Sequence, residues 1–427
     1  MNEAMTMDLA AKIMLFAIPG FFILMAIELL AARLMRRKVY KLNDSINSIG
    51  LGVLSQVVGV FTRLLSLGIY AWTVQRVALF HLPANNALVW IGALVLYDFF
   101  YYWLHRCGHE VNVLWAAHVV HHQSERYNLS TALRQTGSGV LLAWLFYMPL
   151  ALIGFPVEVF AVVAVIDLIY QYWIHTELVG RLGWFDRVFA SPSNHRVHHA
   201  VNVKYLDKNY GGIFILWDRL FGSFIEQDDN EPPVYGTRAP LRSWNPLWAN
   251  VEVYWGLLKD AWHAEKWSDK LRVWLKPPGW RPADVAARFP KPEFDIARPE
   301  FDPSVSRWHT LHAFAMFVVA LIVGVGFLQT AAQLTWLSAL AYAVFLTGSL
   351  ALLGALLEGG RIAPSLQAVW LLGWGGGAAA LGEWINGAVL PPGLRVGIAV
   401  GVVAGLLSLW LGASHRVEAG STEVVHG

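Results

Sequence analysis

The sequence contains a single cysteine, Cys107. One thiol excludes an intrachain disulfide and leaves no cysteine-based metal site. Charge is also scarce, because 15% of the residues are charged against about a quarter in an average soluble protein. The net charge of +2 says little about partners, and no stretch resembles a nucleic-acid-binding face. We therefore expect neither a disulfide-stabilised fold nor a nucleic-acid-binding protein.

Apolar residues, in contrast, are abundant. They make up 56% of the chain, and the mean hydropathy is +0.45, which indicates a bilayer as the solvent. The 21 Trp and 14 Tyr suit interfacial belts, since amphipathic rings favour the headgroup level. The first apolar run lacks the basic start and the small-residue cleavage site of a signal peptide, so we expect a membrane anchor there.

Runs of about 20 apolar residues mark helices that can cross the hydrocarbon core. They predict an all-α fold, a polytopic integral membrane bundle with a cytoplasmic histidine-rich cap. The expected spans are Ile13–Leu34, Ile46–Phe80, Ala87–Leu104, Val140–Ile174, Leu311–Leu328, Leu334–Leu357, Leu366–Ile385 and Leu394–Leu411. The interruption at Gly154–Phe155–Pro156 predicts a helical hairpin that leaves and re-enters on the same side.

Basic residues set the expected orientation. The residues that flank the end of the first span are Arg33, Arg36, Arg37, Lys38 and Lys41. The positive-inside bias puts this end in the cytoplasm. The membrane is expected to be either a bacterial inner membrane or that of the endoplasmic reticulum. Counting crossings from there returns the chain to the cytoplasmic side near Leu104 and again near His175.

Nine of the fifteen histidines lie between His105 and His199. They form the boxes HRCGH (His105, His109), HVVHH (His118, His121, His122) and HRVHH (His195, His198, His199), with His175 standing alone. Helical spacings of three and four bring side chains onto one face. Imidazoles packed this densely repel one another if protonated and need partners if neutral, and a metal solves both problems. The ligand number favours two ions.

The residues alone leave the metal open. The metalloprotease pattern H-E-x-x-H is absent, because Val111, Asn112 and Val113 follow Glu110. The Glu-x-x-His pattern of carboxylate di-iron bundles is absent from the histidine boxes as well. An all-imidazole pair at a membrane surface is compatible with iron that activates oxygen.

At these residues the sequence resembles the fatty acid hydroxylase/sterol desaturase superfamily of integral membrane di-iron enzymes. The similar stretches are Asp98–Gln135, Tyr172–Glu177, Asn194–His199 and Tyr205–Phe224. The flanking sequences NLSTALRQ and DKNYGG are most similar to the alkylglycerol monooxygenase branch. The resemblance implies two irons held by the eight box histidines, with His175 in the place of the family's isolated extra histidine. Many members have H-x-x-x-H there, and here His175 has no such partner.

The sequence predicts four parts of the chain, and the resemblance covers the second of them. Residues 1–45 form an anchor with a basic flank, and 46–225 form the di-iron catalytic domain. Residues 226–308 are rich in Trp and Pro, and 309–427 form a four-helix membrane region. For the third part, a segment in the membrane interface that shapes lipid access and a packed cap are both possible. The cap is favoured, and the two can coexist.

Two acidic residues are candidate catalytic residues. Glu110 follows His109 and is expected either to orient an imidazole or handle protons, or to pair with Arg106. Asp98 lies in an apolar span, where ionisable residues are usually functional, and is expected to support a metal ligand. For Asn128, Asn194, Asp207 and Tyr210, a pocket role and a turn or capping role are equally expected. The histidines assigned no chemistry are His81, His263, His309, His312, His415 and His426.

The implied function is hydroxylation of a lipid C–H bond with O2, with cleavage of an alkylglycerol ether as the implied reaction. The implied partners are a lipid, the membrane and an electron donor, either tetrahydrobiopterin or a redox protein. A sterol or fatty acyl hydroxylase or desaturase would use the same centre. A metal transporter would place histidines along a path within its spans, whereas here they gather at span ends.

Overall fold

In a computed structural model, the structure describes residues 3–422, with side chains for 12–14, 16–62 and 65–414. His415 and His426 lie outside the described side chains. Within the described part every regular element is helical, and β-pairing is confined to isolated bridges such as Phe189 with Phe214. The all-α fold expected from the sequence is confirmed.

The chain divides into two compact units. The first comprises 1–49, 61–241 and 250–299, and the second comprises 50–60, 242–249 and 300–427. The helices that lie wholly or partly in the first unit are α1 (Glu3–Leu34), α2 (Leu42–Arg76), α3 (Ala87–Glu110), α4 (Asn112–His122), α5 (Leu129–Ala132), α6 (Val140–Ile153), α7 (Val157–Trp173), α8 (Pro192–His198), α9 (Leu216–Phe221), α10 (Pro246–His263), α11 (Trp267–Leu275) and α12 (Ala283–Arg288). Those of the second unit are α13 (Arg307–Thr330), α14 (Trp336–Leu357), α15 (Ala363–Leu371), α16 (Gly377–Leu381) and α17 (Pro392–Thr422).

Among the described residues, six helices are long and apolar enough to cross a bilayer. They are Lys12–Leu34, Leu42–Thr62, Ala87–Glu110, Arg307–Gln333, Trp336–Leu357 and Pro392–Ser414, and each overlaps an expected span. The run expected at Leu366–Ile385 instead forms α15, a π-helical turn and α16, and it ends at Gly382 in the left-handed region (φ 74°). Its apolar residues are therefore distributed over a shorter, interrupted helix. The polytopic membrane fold is confirmed.

The expected hairpin is formed by α6 and α7. Its turn passes through Gly154, whose φ of 105° lies in the left-handed region. A Cβ at this position would overlap the Phe80 carbonyl oxygen, so the turn requires glycine. Pro156 then precedes α7 with a φ of −60° that proline adopts without strain.

Helix α1 packs along α7 in the first unit. The Phe21 and Tyr172 rings stack with centroids 4.2 Å apart, and the Tyr172 hydroxyl donates to the Phe21 carbonyl at 2.7 Å. Farther along α1, the buried Glu28 carboxylate accepts from Thr176 Oγ1 at 2.5 Å and from Leu129 N at 2.9 Å. The first helix thus fastens the chain segment that follows α7.

Helices α10 and α11 pack their inner faces against α4. Asn112 donates from its backbone N to the Lys276 carbonyl at 2.9 Å and from Nδ2 to the Val273 carbonyl at 2.8 Å. Ala116 of α4 shares an apolar cluster with Leu257 of α10 and Val273 of α11. These contacts place part of the Trp- and Pro-rich segment directly on a helix that carries a histidine box.

The second unit is held by close helix contacts. His309 and His312 of α13 are buried, and His312 Nδ1 lies 2.9 Å from Ser408 Oγ of α17. A Cβ at Gly412 would overlap the His309 ring. Small residues on α17 therefore allow α13 to approach closely, as is typical of helix pairs in lipid.

Candidate metal centre

The three boxes lie on three helices of the first unit. The first box ends α3, and extended backbone at Val111 separates it from α4, which ends with the second box. The third box occupies α8, where Ser191 caps the helix by accepting from Asn194 N and Pro192 takes the first position. His175 follows α7 by two residues. The spacing of three and four residues thus keeps the histidines of each box close together at the end of one helix.

The tertiary structure sorts the nine histidines into two groups. The first, called here the five-histidine group, comprises His105, His109, His118, His122 and His198. The second, the four-histidine group, comprises His121, His175, His195 and His199. Within each group the potential ligand atoms all lie within 4.8 Å of one another. The second and third boxes therefore divide between the groups, and His175 stands among the box histidines.

Backbone carbonyls orient four of these rings through Nδ1. The acceptors are Tyr210 O for His105 (2.8 Å), Arg134 O for His121 (2.9 Å), Gln171 O for His175 (2.7 Å) and Lys208 O for His198 (3.0 Å). A carbonyl can only accept, so Nδ1 of each ring carries the proton. In a neutral imidazole the free lone pair is then on Nε2. Metal-ligating histidines have the same arrangement, because the ring nitrogen that does not bind the metal usually donates its proton to a nearby acceptor.

The Nε2 atoms point at one another. In the four-histidine group His175 Nε2 lies 3.1 Å from His121 Nε2 and 3.1 Å from His195 Nε2. Burial lowers the pKa of His121 to about 4 and holds the pKa of His175 well below its usual range. Both rings are therefore neutral near pH 7, and two lone pairs face each other with no proton between them. A cation removes this repulsion, so the donor set fits a metal ion.

The five-histidine group shows the same need for a ligand. The Nε2 atoms of His105, His109 and His198 are buried, and no protein group in the described residues hydrogen-bonds to them. Buried polar atoms normally have hydrogen-bond partners. Three neighbouring Nε2 atoms without one are explained if a metal ion binds them. The two histidine groups can bind metal.

The DKNYGG loop supports the five-histidine group. Its Lys208 and Tyr210 carbonyls hold His198 and His105, and Asp207 Oδ1 lies 3.9 Å from His109 Nδ1. Buried Asp218 holds the loop by accepting from Tyr210 N at 2.8 Å and from Gly211 N at 2.7 Å.

Arg134 supports the four-histidine group, and the sequence did not single it out. Its side chain is fully buried, and it donates to the Val120 carbonyl and to Asn47 Oδ1, both at 2.7 Å. Its own carbonyl accepts from His121. One residue thus ties the end of α4 to α2 while orienting a histidine.

The two acidic candidates do not hydrogen-bond to box histidines. Asp98 is fully buried and accepts from Ile213 N, Phe214 N and Trp217 Nε1, at 2.6, 3.1 and 2.7 Å. It thereby holds the segment that follows the DKNYGG loop. Glu110 forms the i,i+4 pair with Arg106 at 2.9 Å and is about two-fifths exposed, which is the alternative that the sequence offered for it.

The four polar residues for which a pocket role and a capping role were equally expected have different surroundings. Asn128 caps α5 in a reciprocal capping box, and Asn194 Nδ2 donates to the Asp186 and Phe189 carbonyls. Asp207 adopts a left-handed conformation beside His109. The Tyr210 ring lies 5.4 Å from the His109 ring, and its buried hydroxyl lacks a hydrogen-bond partner among the described residues.

Sequence reasoning missed two further acidic residues that the same rule would have found. Glu28 and Asp167 are ionisable residues in apolar runs, as Asp98 is. Asp167 is buried and accepts from Gln171 Nε2 at 2.6 Å, and the Gln171 carbonyl orients His175. Arg134, in contrast, lies in a polar stretch where charge carries no such signal.

Comparisons with known proteins agree with the histidine pattern. The fatty acid hydroxylase family matches residues 90–223, which contain all nine histidines. The alkylglycerol monooxygenase of Homo sapiens is 36% identical over 345 residues, which cover 80% of this chain and 77% of the human protein. The alkylglycerol monooxygenase of Xenopus tropicalis is 34% identical, over 74% of this chain and 70% of its own. Ornithine lipid hydroxylase OlsE of Rhizobium tropici is 31% identical over 31% of this chain and 40% of its own.

No solved structure matches the chain. The two alkylglycerol monooxygenases are nevertheless similar over more than two thirds of each sequence. The chain therefore belongs to the alkylglycerol monooxygenase family, among the membrane-bound, oxygen-dependent oxidoreductases of the fatty acid hydroxylase family.

Proposed function

We propose that the chain hydroxylates alkylglycerol ether lipids with O2 at a two-iron centre. The observation that carries the proposal is the pair of histidine groups. Within each group, the potential ligand atoms lie within 4.8 Å of one another. Two separate clusters of neutral nitrogen ligands fit two ions better than one. Two relatives named alkylglycerol monooxygenase support the ether-lipid substrate.

The ligand sets follow from the two groups. The five-histidine group would hold one iron, and the four-histidine group, including His175, would hold the other. When bound, iron supplies the one-electron and O2 chemistry that oxidation of an unactivated C–H bond requires.

The protein's own part is to orient ligands and to keep the site dry. The carbonyls that accept from Nδ1 fix the tautomer of four rings. Burial keeps the histidines neutral and therefore able to bind a metal at physiological pH. A dry site also limits loss of reactive species to water.

The overall reaction balances with a two-electron donor. One oxygen atom of O2 enters the C–H bond next to the ether oxygen, and the other leaves as water. The resulting hemiacetal collapses when its hydroxyl proton moves to the glycerol oxygen and the carbon–oxygen bond breaks, which yields an aldehyde and glycerol. Tetrahydrobiopterin is the proposed donor, by family resemblance.

The centre is proposed to face the cytoplasm. Arg37 of the basic flank donates to the Glu177 carbonyl at 2.9 Å, and Arg126 donates to the Lys38 carbonyl at 3.0 Å. These bonds join the flank to segments on either side of the histidine groups. The positive-inside bias of the flank therefore supports a cytoplasmic location for the centre as well.

We also propose that residues 46–225 are the catalytic domain.

The test is a purified protein assayed for iron and for O2 uptake. Iron bound at two per chain, with an aldehyde released from an alkylglycerol, would support the proposal. His121→Ala and His198→Ala, one from each group, should abolish the reaction, whereas His81→Ala should not. Oxidation of a sterol or an acyl chain in place of the ether would reassign the substrate but keep the centre. Full activity of both box variants would refute the centre.

A further inference from the structure

Helices α10 and α11 present an apolar face to the outside of the first unit. On α10 the exposed residues Val251, Trp255, Leu258 and Trp262 recur at helical spacing along one stripe. On α11, Trp267, Leu271 and Leu275 do the same. Trp262 and Trp267 are 79% and 81% exposed, although a soluble surface rarely leaves so many large apolar side chains in contact with water.

The opposite face of α10 is occupied. Tyr254 Oη lies 3.0 Å from Ser138 Oγ, and Asn250 Oδ1 accepts from Gly137 N at 2.8 Å. Asp260 is buried and forms a two-pronged ion pair with Arg281 at 2.8 Å. The inward face of α10 is therefore already packed, and the apolar stripe is left on the outward face, where a helix on a water-exposed surface would carry mainly polar residues.

We propose that the outer face of α10 and α11 lies in the membrane interface and docks on the bilayer surface. Residues 242–306 contain no helix long and apolar enough to cross the membrane, so this face would lie along the bilayer. Tryptophan favours the headgroup level. Lys259, Lys266 and Lys276 are exposed on the same two helices and their flanks, and cations beside an apolar stripe are typical of helices that lie on anionic lipid.

The same pair of helices touches the candidate metal centre. Val273 of α11 and Leu257 of α10 contact the apolar cluster around Ala116, which lies on α4 two residues before His118. Gly137 and Ser138, which α10 holds, lead into the hairpin helix α6. The docked face would therefore bring the bilayer surface next to the elements that surround the centre. This inference depends on the membrane location of the chain and not on the proposed substrate.

Photo-crosslinking in the full-length protein tests the proposal. A benzophenone amino acid replaces Trp262 in one variant and Trp267 in another, and His263 in a matched control. His263 is exposed and adjacent to Trp262 but lies off the stripe. The proteins are reconstituted in vesicles of phosphatidylcholine with anionic phosphatidylglycerol, irradiated and analysed by mass spectrometry.

We expect phospholipid adducts several-fold more abundant at 262 and 267 than at 263. A crosslink to a second copy of the chain at 262 or 267 would overturn the proposal in favour of a protein interface. Equal lipid adducts at all three positions, or none at any, would also overturn it. Unchanged elution of each variant in size-exclusion chromatography, with iron content equal to the parent protein, verifies that the fold is retained.

Discussion

The Nε2 atoms of His121 and His175 lie 3.1 Å apart, although each ring already donates its Nδ1 proton to a backbone carbonyl. The two rings come from segments far apart in sequence, and neither Nε2 can donate to the other. The contact is unfavourable without a cation and favourable with one. It therefore makes metal binding and the folding of this region interdependent.

Substitution of His175 should weaken iron binding in the four-histidine group without affecting the five-histidine group. His175→Ala removes one histidine of the four-histidine group and leaves the five-histidine group unchanged. We expect the iron content of the purified protein to fall by about half, since each group would hold one ion. Metal analysis by mass spectrometry measures the change, with His81→Ala as the control. Full iron occupancy in His175→Ala would contradict the assignment of this histidine.

Arg134→Met should destabilise the protein. The substitution removes the buried donor that Arg134 supplies to the Val120 carbonyl and to Asn47 Oδ1, and we expect the free energy of unfolding to fall by on the order of 3 kcal/mol. Unfolding in detergent by a denaturant series measures it. Arg181→Met removes a surface pair with Asp229 and should cost about 0.5 kcal/mol. Equal losses in both variants would show that burial of Arg134 is unimportant.

Glu28→Ala should reduce iron in the four-histidine group. It removes the acceptor for Thr176 Oγ1 and Leu129 N, and Thr176 directly follows His175. Glu28→Gln should be mild, because the amide oxygen can accept from Leu129 and the amide NH2 can donate to the Thr176 hydroxyl. Iron content and thermal midpoint are measured together.

Met25→Ala is the matched control for Glu28, since Met25 is buried in the same helix but packs in an apolar cluster. It should lower the thermal midpoint with iron content unchanged. If Met25→Ala and Glu28→Ala lose iron equally, Glu28 has no particular role in placing His175.

Asp218→Asn should act on the other half of the centre. The carboxylate accepts from Tyr210 N with one oxygen and from Gly211 N with the other, so the new amide NH2 would face one of these two N–H groups. The Tyr210 carbonyl would then lose its position against His105. We expect about half the iron to be lost, from the five-histidine group. The iron that remains in Asp218→Asn and in Glu28→Ala should occupy different sites and give different Mössbauer spectra. Identical spectra would argue against the idea that Asp218 and Glu28 support different histidine groups.

Gly154→Ala should prevent correct formation of the hairpin. The residue has a φ of 105°, and a Cβ would overlap the Phe80 carbonyl oxygen, so we expect a loss of at least about 2 kcal/mol. Gly180→Ala, where a Cβ meets nothing within 4 Å, is the control and should change stability little. Yield of monodisperse protein and its thermal midpoint provide the measurement, and equal values for the two variants would contradict the prediction.

Much of the fold could be predicted because its signals are local. Apolar runs mark membrane helices through the cost of unpaired backbone in lipid, and six of them form long apolar helices. Gly154–Phe155–Pro156 marks the hairpin, since glycine permits the left-handed turn and proline cannot continue a helix. The π-helical turn at Leu372–Gly376 lies in a glycine-rich stretch without proline, and its run was expected to be an uninterrupted span.

The sequence by itself determined that this protein lies in a membrane and carries eight histidines in boxes besides the isolated His175, because both properties follow from composition and from helical spacing. Only the tertiary structure decided which histidines stand together. His121 and His122 are neighbours in sequence, yet adjacent residues project about 100° apart on a helix, and they enter different groups. The supports are equally non-local, since Arg134, Glu28 and Asp218 act through contacts between distant segments that no spacing in the sequence encodes.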